Sequence, residues 1–147
     1  MRITSSVEYA TRVMVRLSAL PPDETATAEN LSEAENIPRD YIDQLMLRLR
    51  RAGLVLSRRG AQGGYALAKP ADKISVSMIV CAVEESVFDL ICERFARGEK
   101  RCSRSAGCGI RPTWGRLAKT VETFLEGVSV AQLAAEDDCH HRAKGCS

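Results

Sequence analysis

The apolar positions in the first 53 residues repeat with the period of an α-helix, in three consecutive segments. The first segment carries five apolar residues on one helical face: Ile3, Val7, Ala10, Met14 and Leu17. A shorter repeat begins near Thr27, and a third runs from about Pro38 to Ala52, where Gly53 ends it. Two short helices joined by a tight turn after a longer helix predict a helix-turn-helix unit.

After Gly53 the pattern changes to that of strands. Leu54–Leu56 predicts one strand and Tyr65–Ala68 its returning partner, with the glycine-rich segment 57–64 as the hairpin tip. A helix-turn-helix followed by a β-hairpin is a winged helix. The predicted fold class is therefore mainly α with a small β-hairpin, a winged helix-turn-helix DNA-binding domain over residues 1–75. The 45% apolar and 27% charged composition is that of an ordinary globular chain.

Positive charge is concentrated on the third helix and the hairpin. The whole chain carries a net charge of +2, whereas residues 39–59 contain six arginines against two aspartates. This concentration predicts double-stranded DNA as the partner, with Gln44 suited to adenine and Asp43 to a cytosine amino group. The expected DNA-binding residues are Arg39, Asp40, Tyr41, Asp43, Gln44 and Arg48 in the helix, and Arg58, Arg59, Gly60, Gly63 and Gly64 in the hairpin. The alternative is a solvated helix face with arginines that serve solubility.

The second half predicts further helices and an oligomerisation surface. Ser75–Ser86 reads as a fourth helix, in which Cys81 is expected to be a small core residue. From Pro112 to Gly127 one helical stripe carries Trp114, Leu117, Ala118, Val121, Phe124 and Leu125. We interpret it as a long dimerisation helix; packing against its own domain is the alternative. A short helix ends near Leu133. Residues 76–135 form the second predicted unit, and the polar residues 136–147 a flexible tail.

Three cysteines lie on a polar loop between these helices. Cys92, Cys102 and Cys108 are separated across a stretch that contains glycine and charge but few apolar residues, so the loop needs another organising centre. Thiolates favour zinc or an iron–sulfur cluster. The spacing lacks the paired C-x-x-C of a zinc ribbon, and three free thiols are the remaining alternative.

Several function classes are disfavoured. The longest charge-free stretch, Ile74–Val83, is too short to cross a bilayer, and charges interrupt the N-terminal region, so a cytoplasmic protein without membrane contact is expected. No nucleophile–base pair or nucleotide-binding glycine motif appears, so we predict neither an enzyme nor a small-molecule substrate. An iron–sulfur electron carrier would not need the Arg58-Arg59 pair.

Several motifs resemble the bacterial iron–sulfur winged-helix transcriptional regulators, a family that includes IscR, NsrR and RirA. The similar segments are residues 1–5, Tyr41–Leu45, Arg59–Leu67, Ala82–Ser86 and the three later cysteines. The resemblance covers roughly residues 1–135. It implies a cytoplasmic homodimeric regulator, expected to be a repressor, whose operator binding is controlled by a [2Fe–2S] or [4Fe–4S] cluster on Cys92, Cys102 and Cys108.

The sequence departs from the family at the fourth ligand. Where the cluster-assembly regulators have a histidine three residues after the third cysteine, this chain has Arg111. Relatives of the nitric-oxide-sensor type use a carboxylate near the start of the first helix, donated by the other subunit, and Glu8 stands at that position. The resemblance therefore implies Glu8 as the fourth metal ligand, with Cys139, His140 and His141 as alternatives. A regulator of the same fold that uses its cysteines as a thiol switch or zinc site is the competing hypothesis.

Overall fold

The computed structural model describes residues 3–60, 63–84 and 109–144, with side chains as far as Asp137. Cys92, Cys102 and Cys108 lie outside the described residues. The elements follow in the order α1 (Ser5–Ser18), α2 (Ala28–Glu35), α3 (Arg39–Arg51), β1 (Val55–Arg58), β2 (Gly64–Leu67), a 3₁₀ turn (Ala71–Lys73), α4 (Val76–Val83), α5 (Ile110–Gly127) and α6 (Val130–Lys144). The predicted mainly helical fold with one small β-hairpin is confirmed.

The helix boundaries of the N-terminal unit follow from local chemistry. The Thr27 side chain accepts a hydrogen bond from the Asn30 amide at 3.1 Å and so caps the start of α2. Asn36 ends α2 in the left-handed conformation at φ +53°, which turns the chain sharply toward α3. Pro38 precedes the first residue of α3, where a missing amide hydrogen is harmless. The two helices thereby form the predicted helix-turn-helix.

The core lies where α1, α3 and α4 meet beneath α2 and the hairpin. Met14 of α1, Leu49 of α3 and Ile79 of α4 have no solvent exposure. The buried residues of the described chain are all apolar. Hydrophobic burial therefore fixes the pose of α3, the helix expected to meet DNA.

The hairpin and the second half are attached to this core by backbone hydrogen bonds. Residue Val55 pairs with Leu67 in the antiparallel ladder, and Ala26 extends the sheet by a bridge to Tyr65. A second bridge joins the segments before α4 and before α6, with the Val130 amide donating to the Ile74 carbonyl at 2.9 Å. Both the wing and the start of α6 are therefore held close to the core.

Helix α5 contributes no buried residue to the described chain. Within its predicted stripe Val121 and Leu125 are half-buried, while Trp114, Leu117 and Phe124 are 46%, 42% and 68% exposed. The stripe is thus only partly used by its own domain.

Three expectations are wrong. Ile3 precedes α1, which begins at Ser5, and is 70% exposed rather than on the inner face of that helix. Cys81 is exposed rather than a core residue, because the buried face of α4 is formed by Ile79, Val80 and Val83 and Cys81 faces away from it. The last helix does not end near Leu133, because helical backbone continues over residues 134–144. Alanines and long charged side chains, which favour helices, make up much of this segment. Among the described residues, no helix is long and apolar enough to span a membrane.

Candidate nucleic-acid interface

The outer face of α3 exposes a mixed polar and apolar stripe. Asp40, Asp43, Gln44, Leu47 and Arg51 are all exposed and recur every three or four residues, which places them on one side of the helix. Of these, Leu47, at 39% exposure, was missed by sequence reasoning. Its position three residues after Gln44 was the available signal. A large apolar side chain on an outer helix face is suited to contact a thymine methyl group.

Charges at the start of α3 are paired with each other. Nη1 of Arg39 lies 2.6 Å from Oδ2 of Asp43, one helical turn further along. The same guanidinium also contacts Glu29 of α2, with Nη2 3.1 Å from Oε1. All three side chains are substantially exposed, so these pairs contribute little to stability. Arg39 and Asp43 can therefore exchange these partners for phosphate or base groups at small cost.

Two predicted DNA-binding residues of α3 also make hydrogen bonds within the protein, Tyr41 from a half-buried position and Arg48 from an exposed one. The hydroxyl of Tyr41 is hydrogen-bonded to Ser6 of α1 at 2.6 Å, and its ring packs edge-on against Tyr9. Nη1 of Arg48 donates to the main-chain carbonyl of Val83, the last residue of α4, at 2.8 Å. Both polar groups therefore connect α3 to neighbouring helices.

The wing presents one free arginine and one paired arginine. Arg58 donates to the carbonyl of Asp23 at 2.9 Å, and its guanidinium lies 3.4 Å from that residue's carboxylate. Arg59, directly before the tip, is exposed and has no hydrogen bond or ion pair with another described residue. Gly60 adopts φ +121°, a conformation that disfavours any residue with a side chain.

The other two wing glycines serve the fold. A Cβ atom on Gly63 would lie 2.6 Å from the Arg58 carbonyl oxygen, and one on Gly64 would lie 2.7 Å from the Ala26 carbonyl oxygen. Close backbone packing within the hairpin and against Ala26 thus explains both glycines.

A groove of about 1400 Å³ lies on another part of the molecule, between α1, α4, α5 and α6. Glu8 lines this groove and is exposed, and its carboxylate has no hydrogen bond or ion pair within the described part of the chain. Nearby, Arg12 is held by Glu35 at 3.0 Å, and the Thr4 hydroxyl donates to the Glu84 carboxylate. Phe124 of α5 also lines the groove.

The class of this protein follows from its similarity to a known family. The model of the Rrf2 family, described as an iron-dependent transcriptional regulator, matches residues 3–136. The chain belongs to the Rrf2 family. Related sequences agree with the assignment. The chain is 33% identical over 138 residues to the HTH-type transcriptional regulator IscR of Aliivibrio salmonicida, covering 94% of this chain and 80% of the relative. The IscR of Yersinia enterocolitica is 34% identical, with 94% and 82% covered.

Solved structures of Rrf2-type regulators share the fold. The IscR of T. potens superposes with a TM-score of 0.73 at 25% identity, covering 93% of this chain and 88% of that one. The oxidized form of CymR from Staphylococcus aureus gives a TM-score of 0.71 at 27% identity, covering 91% and 96%. CymR, the global cysteine regulator of B. subtilis, superposes with a TM-score of 0.77 at 24% identity, covering 92% of this chain and 98% of that one, and supports the fold alone. The winged-helix architecture and the transcriptional-regulator class are therefore established for this Rrf2-family chain.

The described residues do not form a complete metal site of their own. No group of three or more His, Cys, Asp or Glu side chains within them is arranged to hold a metal ion. Glu8 is the one of the four predicted ligands that lies in the described range, where the alternatives at 139–141 are described by backbone alone; its exposed, unpaired carboxylate in the groove is free to bind a group supplied from elsewhere. This environment fits a carboxylate that completes a cluster held mainly by thiolates.

Proposed function

We propose that this Rrf2-family regulator is a cytoplasmic homodimer that binds a double-stranded DNA operator under the control of an iron–sulfur cluster. The observation that carries the proposal is the exposed outer face of α3 beside the free Arg59 of the wing, in a chain whose family regulates transcription. The family description as iron-dependent and the IscR relatives support the cluster.

The proposed DNA interface divides by role. Gln44 and Leu47 read base edges, Gln44 through paired hydrogen bonds to adenine and Leu47 through a thymine methyl group. Arg39 and Arg59 bind phosphates, since both guanidiniums are exposed. Asp43 reads a cytosine amino group once Arg39 has moved to a phosphate. The remaining proposed contacts are Asp40, Arg58 and Gly60.

The homodimer is supported by the exposed side of α5. Trp114, Leu117 and Phe124 form a row at helical spacing on a helix without any buried residue. Three large apolar side chains so close together are unusual on the surface of a monomer and typical of an interface. A dimer would also place two α3 helices on the two halves of a palindromic operator, which a single small winged helix cannot read with useful specificity.

The proposed cluster ligands are Cys92, Cys102 and Cys108, with Glu8 as the fourth, donated by the other subunit. The unpaired state of Glu8 supports this assignment. Arg111 does not replace the family's histidine ligand, because a guanidinium stays protonated and has no free lone pair. When bound, the cluster supplies a centre that responds to oxygen, nitric oxide or iron supply. Glu8 then links that centre to α1.

The experiment is to select operator sequences from a random DNA pool with anaerobically purified protein, and to measure the Kd of the best sequence with and without the cluster. A palindromic operator whose affinity depends on the cluster is the expected outcome. Equal affinity of the two forms at every salt concentration would refute cluster control while leaving DNA binding intact.

A second candidate keeps the same fold and operator binding but uses the cysteines as a thiol switch or a zinc site. The observation that favours it is the similarity to CymR, for which an oxidized form has been solved. The two candidates differ in their metal content. A colourless protein with one zinc per chain after anaerobic reconstitution, or a metal-free protein whose DNA binding follows thiol oxidation, would favour the second.

A further inference from the structure

Tyr41 and Arg48 lie seven residues apart on α3 and so on the same side of that helix. Tyr41 is bonded to Ser6 near the start of α1, and Arg48 to the carbonyl of Val83 at the end of α4. Arg48 lies three positions before Arg51, the last residue of that helix. The recognition helix is thus tied to α1 by its N-terminal half and to α4 by its C-terminal half.

At the C-terminal end of α4, a positively charged hydrogen-bond donor stabilises the helix. The last carbonyls of a helix have no intrahelical partner and carry partial negative charge. Val83 is 4% exposed, so few water molecules can replace the guanidinium at this carbonyl. The side chain of the next residue, Glu84, accepts a hydrogen bond from Thr4, the residue that precedes α1. Both α1 and α3 therefore hold the final turn of α4.

We infer that Arg48 is a positioning residue that couples the chain segment after α4 to the pose of the recognition helix, and is not a phosphate ligand. The inference rests on the proposed function, in which the segment beginning at residue 85 holds the cluster through its three cysteines. The acceptor is a main-chain oxygen, so the hydrogen bond responds to the position of the last turn of α4. A change that displaces this turn breaks the bond and removes one of the polar contacts that position α3.

Such coupling requires that the hydrogen bond differ between the two states of the regulator. A residue that acts equally in both states shifts both operator affinities by the same factor and leaves their ratio unchanged. A residue that acts in one state changes the ratio. The ratio of operator Kd values with and without the cluster therefore separates coupling from a plain DNA contact or a plain contribution to folding.

The test compares Arg48→Ala with Arg51→Ala in the full-length protein. Both variants remove one positive charge from the same helix, and the exposed side chain of Arg51 has no hydrogen bond to another described residue. Operator Kd is measured over a salt series by fluorescence anisotropy, for anaerobically purified protein and for the same protein after cluster removal by a chelator. Arg48→Met keeps the aliphatic stem without the donors and replaces the alanine variant if that variant does not fold.

We expect Arg48→Ala to move the affinity ratio toward one by about threefold or more, with the salt dependence unchanged. Arg51→Ala should retain the wild-type ratio, and Arg48→Lys should restore part of it because an ammonium still donates one hydrogen bond. Independently of the cluster, hydrogen exchange at the Glu84 amide, which donates to Val80 at 2.8 Å, should accelerate in Arg48→Ala and not in Arg51→Ala.

Two results would overturn this inference and leave the proposed function intact. One is an equal loss of affinity in both forms of Arg48→Ala with a reduced salt slope, which identifies a phosphate contact. The other is an unchanged ratio together with unchanged exchange at Glu84. If the wild-type protein has the same operator Kd with and without the cluster, the proposed cluster control is refuted. The coupling role of Arg48 is then refuted with it.

Discussion

Truncation of Phe124 to alanine should dissociate the proposed dimer. A phenylalanine presents roughly 200 Å² of surface, and Phe124 is 68% exposed in the single chain. Burial of that exposed part at a dimer interface contributes about 3 kcal/mol per protomer at ~25 cal/mol per Å². Alanine retains a small part of this area, so the loss is about 2 kcal/mol per protomer. With one Phe124 on each subunit, the dimer Kd should rise by roughly 1000-fold.

Sedimentation equilibrium over a range of protein concentrations measures this change. The matched control is Leu56→Ala, which removes another large apolar side chain, 52% exposed, from the hairpin rather than from α5. Leu56→Ala should leave the dimer Kd unchanged. Alanine favours helix, so α5 should persist in Phe124→Ala, and circular dichroism checks this. A Phe124→Ala protein that dimerises as tightly as the wild type would refute the assignment of α5 as the dimer interface.

Three further predictions follow from the described contacts. Arg59→Ala should lower the slope of log Kd against log salt by about one per protomer. Arg58→Ala should lower this slope less, because Asp23 already binds that guanidinium. Equal slopes for the wild type and Arg59→Ala would count against a phosphate contact. Glu8→Ala should change the visible spectrum of the anaerobic protein while the exposed Glu33→Ala does not, and an unaltered spectrum would remove Glu8 as a ligand. Leu49→Ala should lower the free energy of unfolding by about 2–5 kcal/mol in urea melts, since Leu49 is fully buried, and a loss below about 1 kcal/mol would contradict its place in the core.

The helix-turn-helix and wing were predictable because their signals are local. The repeat through Met14 and Leu17 fixes the inner face of α1, and the glycines at the hairpin tip mark the turn between two strands. Helix α4 behaves differently. Its eight residues are almost all apolar, so the period does not identify the buried face, and Cys81 was assigned to the wrong side.

The roles of polar residues on α3 depended on contacts that no local pattern encodes. Tyr41 and Arg48 carry groups suited to DNA, and only the packing of α1 and α4 against α3 gives them protein partners. For Leu47 the contrast is reversed, since its apolar side chain indicates a core position and yet it is exposed. Leu45, Met46 and Leu49 already occupy the inner face of α3. Helical spacing gives the direction of a side chain, whereas its partner depends on tertiary structure.

The central claim is that an iron–sulfur cluster controls this Rrf2-family regulator. Iron and acid-labile sulfide counts on the anaerobically purified protein, taken with its visible spectrum, test this claim most directly. We predict a brown protein with iron and sulfide in equal amounts and absorption that is lost on exposure to air or a chelator. A colourless protein that contains zinc, or no metal, after anaerobic reconstitution with iron and sulfide would contradict the account.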